Sequence, residues 1–153
     1  IYRTFKMNLK QSIAEIINDA AKTKDVADKV TTLQAGDAPA LRTILRLIYD
    51  KEINFLIPDS APPFKPNGAI ENTETMLYRE ARRMRIFIDG GGYENLNQTK
   101  REGLFIGLLE DIDPLDSEMM VNHVITHKAV KGLSRKTVEQ AFPDLFTTPM
   151  DMR

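Results

Sequence analysis

An all-α fold, a single irregular bundle of about six or seven helices, is what the sequence predicts. Three observations lead there. Apolar residues recur at three- and four-residue spacing through most of the chain. The alternation of β-branched and polar residues that marks a half-buried strand is absent. Residues suited to stopping or starting helices, Gly36, Asp113-Pro114, Gly132 and Pro143, fall between the periodic stretches.

In chain order, Leu9, Ile13, Ile16, Ile17 and Ala20 predict an amphipathic helix over Asn8 to Lys22. Asp25 to Leu33 reads as a weaker helix with Val26, Val30 and Leu33 on one side. Gly36 breaks it, and Asp37 can cap the next helix, with Pro39 tolerated in its first turn. That helix carries the clearest apolar stripe of the N-terminal half, Leu41, Ile44, Leu45, Ile48 and Tyr49, and is expected to run to about Lys51. The loop Pro58 to Gly68 holds Pro58, Pro62, Pro63 and Pro66, which deny it regular hydrogen bonding. Phe64 is its expected anchor.

Thr73 to Ile88 reads as one helix with Met76, Leu77, Ala81, Met84 and Phe87 or Ile88 inward. Arg79, Arg82, Arg83 and Arg85, with Glu80 among them, lie on its other face. Asp89-Gly-Gly-Gly92 is a flexible stop. Asn97 is the expected cap of a helix to Asp111, packed by Leu104, Phe105, Leu108, Leu109 and Ile112. Asp116 or Ser117 then caps a helix through Val121, Val124, Ile125 and Ala129. The chain is expected to be one domain over residues 7–146, with 1–6 and 147–153 as terminal extensions and Met7 as the natural start.

The last part, His127 to Phe146, reads as a helical hairpin. Gly132 suits the left-handed position that closes a helix. Ser134 suits the N-cap of the next. Leu133 and Val138 hold the two positions of a hydrophobic staple, and Pro143 ends the helix. Lys128, Lys131, Arg135 and Lys136 surround the turn, with no acid between His127 and Val138. Cations around a helix N-terminus suit a phosphate; the alternative is an ordinary solvated turn. The arginines of residues 79–85 are likewise a solvated face or a second phosphate contact.

Composition narrows the function. The 153 residues are 42% hydrophobic and 28% charged, with net charge −1, so affinity for nucleic acid must come from a local patch. No cysteine is present, which removes disulfides and thiolate metal sites and fits a reducing cytoplasm. No apolar run approaches the roughly 20 residues of a membrane span, and no signal-peptide pattern is seen. His123 and His127 stand four apart but lack further ligands, so no metal is expected. The acids from Glu110 to Glu118 lack the glycine and spacing of a calcium loop. Asp89-Gly90-Gly91-Gly92 is not a phosphate loop, since no G-K-[ST] follows it. No serine–histidine–acid set or nucleophile elbow is present. A non-catalytic protein without cofactor is expected.

Two stretches resemble a known family. Ala40-Leu-Arg-Thr-Ile-Leu-Arg-Leu-Ile-Tyr-Asp-Lys-Glu-Ile-Asn-Phe-Leu-Ile57, followed by a proline-containing loop, resembles the early part of the N-terminal helical domain of ATP-dependent DNA ligases of the T-even phage type. Lys131-Gly-Leu-Ser134, then a short helix ending in Phe142-Pro-Asp-Leu-Phe146, is similar to that domain's closing hairpin. The likeness covers roughly residues 8–146 and extends to small uncharacterised proteins of marine tailed phages. It implies an all-helical module that grips duplex DNA through the minor groove and backbone, with Lys131, Gly132, Ser134, Arg135 and Lys136 as the matching contacts. The ligase lysine-x-aspartate-glycine motif is missing, because Phe87-Ile88 precedes Asp89-Gly90. The adenylation and OB-fold parts have no counterpart. The expectation is therefore a DNA-binding or accessory module, in the host cytoplasm if phage-encoded, with a phage or host replication or repair protein as a possible partner. The rival expectation is a protein–protein adaptor using the loop Pro58 to Gly68 and the helix from Glu118.

Overall fold

The computed structural model describes residues 10–69 and 72–149. Among them are seven α-helices: α1 (Ile13–Lys22), α2 (Val26–Ala35), α3 (Pro39–Tyr49), α4 (Met76–Glu80), α5 (Gln98–Asp111), α6 (Pro114–Met119) and α7 (Arg135–Ala141). Short 3₁₀ segments, Thr73–Thr75 and Ala81–Phe87, flank α4, and a π-helical turn, Met120–Val124, extends α6. No strand occurs among the described residues. Phe55 and Ile88 form an isolated antiparallel bridge, with Leu56 N–H donating to the Phe87 carbonyl (2.7 Å) and Asp89 N–H to that of Asn54 (2.9 Å). The fold is the expected all-α bundle.

The boundaries move where side chains cap better than periodicity foresees. α1 starts at Ile13, since Ser12 and Glu15 form a reciprocal capping box at 3.2 Å each way. Lys10 and Gln11 are non-helical, and the expected Asn8 and Leu9 lie outside the described residues. Asp37 does not cap α3. It is drawn off by Arg42, whose Nε and Nη2 donate to its two oxygens at 2.7 and 2.9 Å, and Ala38 holds the cap position instead. α3 ends at Tyr49, two residues early, as Asp50 turns extended. Asp113 caps α6 by accepting from Leu115 N–H at 2.9 Å. That leaves Asp116 and Ser117 in the interior rather than at the cap.

The stretch expected as one helix over Thr73 to Ile88 divides into 3₁₀, α and 3₁₀ segments. Its buried residues explain the second change: Ala81, Met84 and Phe87 are three apart, a spacing that lines up on a helix of three residues per turn. The helix expected to continue to Ala129 also stops early. His127 takes a left-handed φ of 54°, its Nε2 meets the Ile53 carbonyl at 2.7 Å, and its ring lies 5.3 Å from that of Phe55. It is therefore neither on a shared helix face with His123 nor turned to solvent.

One apolar cluster joins all seven helices, with Ile13, Ile17, Leu33, Leu41, Ile44, Leu45, Ile48, Met84, Leu108, Met120 and Val138 at zero exposure. Phe64 packs against its margin, as expected. The proline loop is also tied at Lys65 N–H to Glu110 (2.8 Å) and Asn67 Nδ2 to the Asp111 carbonyl (2.7 Å). Val26, expected inward, is 46% exposed, and the buried place one turn on goes to Lys29. The reason is polar: the Lys29 ammonium satisfies the Ala21 carbonyl at the end of α1 (3.2 Å) and the Gly132 carbonyl.

Arg101 and Asp116 are among the other polar groups of the interior. Arg101 is 3% exposed and donates to the carbonyls of Ile86 (3.1 Å) and Tyr93 (2.6 Å) and to Gln98 (2.6 Å). Asp116, fully buried, accepts the Ala14 N–H of α1 through Oδ1 at 2.8 Å, while its Oδ2 has no partner. Burial, against Asp113, Glu15 and Glu74 nearby, pushes its carboxyl up to about 7 despite the Ala14 bond.

Candidate nucleic-acid interface

The C-terminal hairpin is bolted to the body at its turn. Leu133 and Val138 are buried as the staple requires. Ser134 caps α7 by accepting from Thr137 N–H at 3.2 Å, and the helix ends before Pro143. The Tyr49 hydroxyl donates to the Leu133 carbonyl at 2.5 Å and accepts from Val130 N–H at 3.2 Å. Burial pushes that phenol up to about 12. Gly132 has the left-handed φ expected of it, 92°. It does not close the preceding helix, however. It sits in a turn closed by Leu133 N–H to the Val130 carbonyl (3.0 Å). A Cβ there would collide with the Ala21 carbonyl oxygen, so the close approach that glycine permits is to α1.

The four hairpin cations separate into two kinds. Arg135 is engaged: its Nε donates to Glu139 (2.8 Å), its Nη1 to the Tyr49 carbonyl (3.2 Å), and its guanidinium stacks 4.1 Å from the Phe146 ring centre. Lys128, Lys131 and Lys136 are exposed, and their ammonium groups make no bond to a described residue. α7 is only seven residues long and Ser134 already takes one of its free N–H groups. The cations, not the helix end, therefore make the turn attractive to an anion.

The second arginine group divides similarly. Arg83 is held by Glu80 (3.2 Å) and Asp111 (3.6 Å). Arg85 stacks on Tyr93 with ring distance 5.2 Å and donates to its hydroxyl at 3.1 Å. Arg79 is exposed with only the Met76 sulfur beside it (3.2 Å), and Arg82 is exposed with no bonding partner among the described residues. The glycine-rich stretch that follows is a carboxylate nest. Gly90 and Gly92 have φ of 86° and 93° and give their N–H groups to Glu94 at 2.8 and 3.3 Å. These bonds and its own N–H hold the Glu94 carboxyl below the usual range.

Two grooves border these groups. One, of about 530 Å³, is lined by Tyr49, Asp50, Lys51, His127, Ser134, Arg135 and Phe146 among others. The second, of about 760 Å³, brings Arg79 and Arg82 together with Arg42, Thr43 and Arg46 of α3 and with Asp144 and Thr148. The segment after α7 is common to both: Phe146 carries Arg135, and the Thr148 carbonyl accepts from Arg46. Arg135 of the hairpin thus touches this segment, and Arg79 and Arg82 share a groove with it.

Arg42 and Arg46 were not singled out from the sequence. The signal was present, since they stand four apart on α3 opposite its apolar stripe. Acids partly offset them: Arg42 is bonded to Asp37, whose carboxyl it holds below the usual range, and Arg46 to Asp50 at 3.3 Å.

No helix among the described residues is long and apolar enough to cross a membrane. No curated protein and no solved structure matches the chain. A family model does match, over residues 16–131, which takes in the arginine-rich stretch and stops within the hairpin turn; the chain belongs to the family of unknown function DUF6433.

Proposed function

We propose that the protein is a non-catalytic module that binds double-stranded DNA through its phosphates, largely without regard to sequence. The observation that carries this reading is two sets of exposed cations with no acid bonded to them, Lys128, Lys131 and Lys136 of the hairpin and Arg79 and Arg82 of the arginine stretch. Unpaired, exposed cations on rigid supports suit phosphates, since no internal ion pair must first break. The likeness of the hairpin and of residues 40–57 to ligase DNA-binding domains points the same way. Net charge −1 limits long-range attraction, so binding is modest and concentrated at low salt. The reading assigns the contacts to Lys128, Lys131 and Lys136, joined by Arg79 and Arg82. Arg83 and Arg135, already engaged, support their surroundings.

The test is a fluorescence anisotropy titration of two unrelated duplexes at several salt concentrations. Replacing Lys131 and Lys136 together by alanine weakens both duplexes alike, because phosphates carry no sequence information. It also lowers the slope of log affinity against log salt by roughly 0.9 per contact removed. A parent protein that binds neither duplex at low salt refutes the reading. The surfaces left are then the loop 58–68 and the helical stretch from Glu118, meeting a protein partner. The exposed large apolar side chains of the described residues, Val26, Tyr93 and Leu115, lie on α2, in the loop after Gly92 and on α6.

A further inference from the structure

The groove between α3 and the arginine stretch differs in kind from a duplex-binding face. Its 760 Å³ is the size of a small-ligand pocket, too small for a double helix to enter. Four guanidinium groups line it together with the Asp37 and Asp144 carboxylates, and Asp50, beside the lining, pairs with Arg46, which leaves a formal excess of one positive charge. Two of the four are fixed in advance. Arg42 is gripped by both Asp37 oxygens and lies 4.6 Å over the Phe142 ring. Arg46 is gripped by Asp50 and the Thr148 carbonyl. In each, one terminal nitrogen, Nη1 of Arg42 and Nη2 of Arg46, is left without a bond to a described residue. Arg79, on α4, and Arg82, on the 3₁₀ segment that follows it, stand three apart with no acid bonded to either, and Thr43 also lines the groove.

We propose that this groove binds a phosphate monoester, either free or carried at the end of a nucleic-acid strand. Arg79 and Arg82 are the two guanidinium groups here with no acid bonded to them; a monoester, at about −1.5 to −2 at neutral pH, can engage both, whereas each diester of a strand interior carries one charge. The forks of Arg79 and Arg82 are open to tetrahedral oxygens, and the fixed Arg42 and Arg46 each add one terminal nitrogen that loses little freedom on binding. No hairpin lysine lines the groove.

The experiment follows the Arg Nε–Hε signals of the full chain by NMR during titration with inorganic phosphate. One short single strand is then titrated in its 5′-phosphorylated and 5′-hydroxyl forms. The groove takes monoesters if inorganic phosphate moves the Arg79 and Arg82 signals, or if the phosphorylated strand moves them and binds roughly tenfold or more tightly than its hydroxyl form. A response to inorganic phosphate identifies the free anion as sufficient, and a response to the phosphorylated strand alone identifies the strand end. R79Q/R82Q, at exposed positions, abolishes the response and leaves the circular dichroism unchanged, while K131A/K136A preserves it. Equal binding of the two strand forms without a response to inorganic phosphate overturns the proposal, as does a response that survives R79Q/R82Q. Failure of duplex binding leaves the inorganic phosphate measurement intact, so the two readings fail separately.

Discussion

Asp116 makes stability depend on pH in the direction opposite to most carboxylates. Its folded-state carboxyl is pushed up to about 7 from 3.8 by burial. A group raised in this way contributes stability that is fully present below the unfolded value and is lost as pH rises through the folded one. Between pH 5 and pH 8 the loss works out at about 2.5 kcal/mol, from a shift of roughly three units at about 1.36 kcal/mol each, with the unfolded group already ionised at pH 5. Asp37 and Glu94 have lowered values and finish titrating below this window. Asp116→Asn is the matched control: its amide oxygen can accept from Ala14 N–H as Oδ1 does (2.8 Å), and it stays neutral. Urea unfolding followed by circular dichroism at pH 5 and pH 8 should show the parent losing about 2.5 kcal/mol more than the variant across that range, with equal m-values. Parallel pH profiles would refute the reasoning and mean that the Oδ2 atom is hydrated in solution.

Three other outcomes follow from the same structure. Gly132→Ala combines a left-handed φ of 92° with a collision against the Ala21 carbonyl, so it should lose about 2 kcal/mol or more and lower the melting temperature. Arg101→Leu leaves the Ile86 and Tyr93 carbonyls without their donor and should destabilise by about 2–4 kcal/mol in denaturant titration. Tyr49→Phe removes two buried hydrogen bonds from the 130–133 turn and should lose about 1–3 kcal/mol, with hydrogen exchange at Val130 and Leu133 rising first.

Helices were legible wherever an apolar stripe and its caps agreed. α5 and α7 kept nearly the boundaries their sequences announce, because the Asn97 and Ser134 side chains do accept the N–H groups their positions suit them to. Asp37 has one in Arg42, five residues along, and nothing local says which interaction wins. Asp116 and Lys29 were hidden for a related reason. Each serves a backbone group about a hundred residues away, Ala14 and Gly132 respectively, and a residue's sequence neighbours carry no trace of such a partner. The hairpin cations were legible as a cluster, but their division into free lysines and an engaged Arg135 was not, since Tyr49 and Phe146 had first to be folded beside it.

That division also settles how rigidly the free charges are held. Lys131 adjoins Gly132, whose carbonyl takes the Lys29 ammonium and whose Cα abuts α1. Lys136 follows Arg135, anchored to the end of α3. The turn between them is pinned by the Tyr49 hydroxyl on both sides. Three helices thus fix a backbone whose lysine side chains are free. An anion binding there orders only two flexible side chains, roughly 1–3 kcal/mol of lost freedom in all, and not the loop that carries them. Loosening the pins should therefore weaken anion binding without removing a single charge, which makes Tyr49→Phe a test of the interface as well as of the fold.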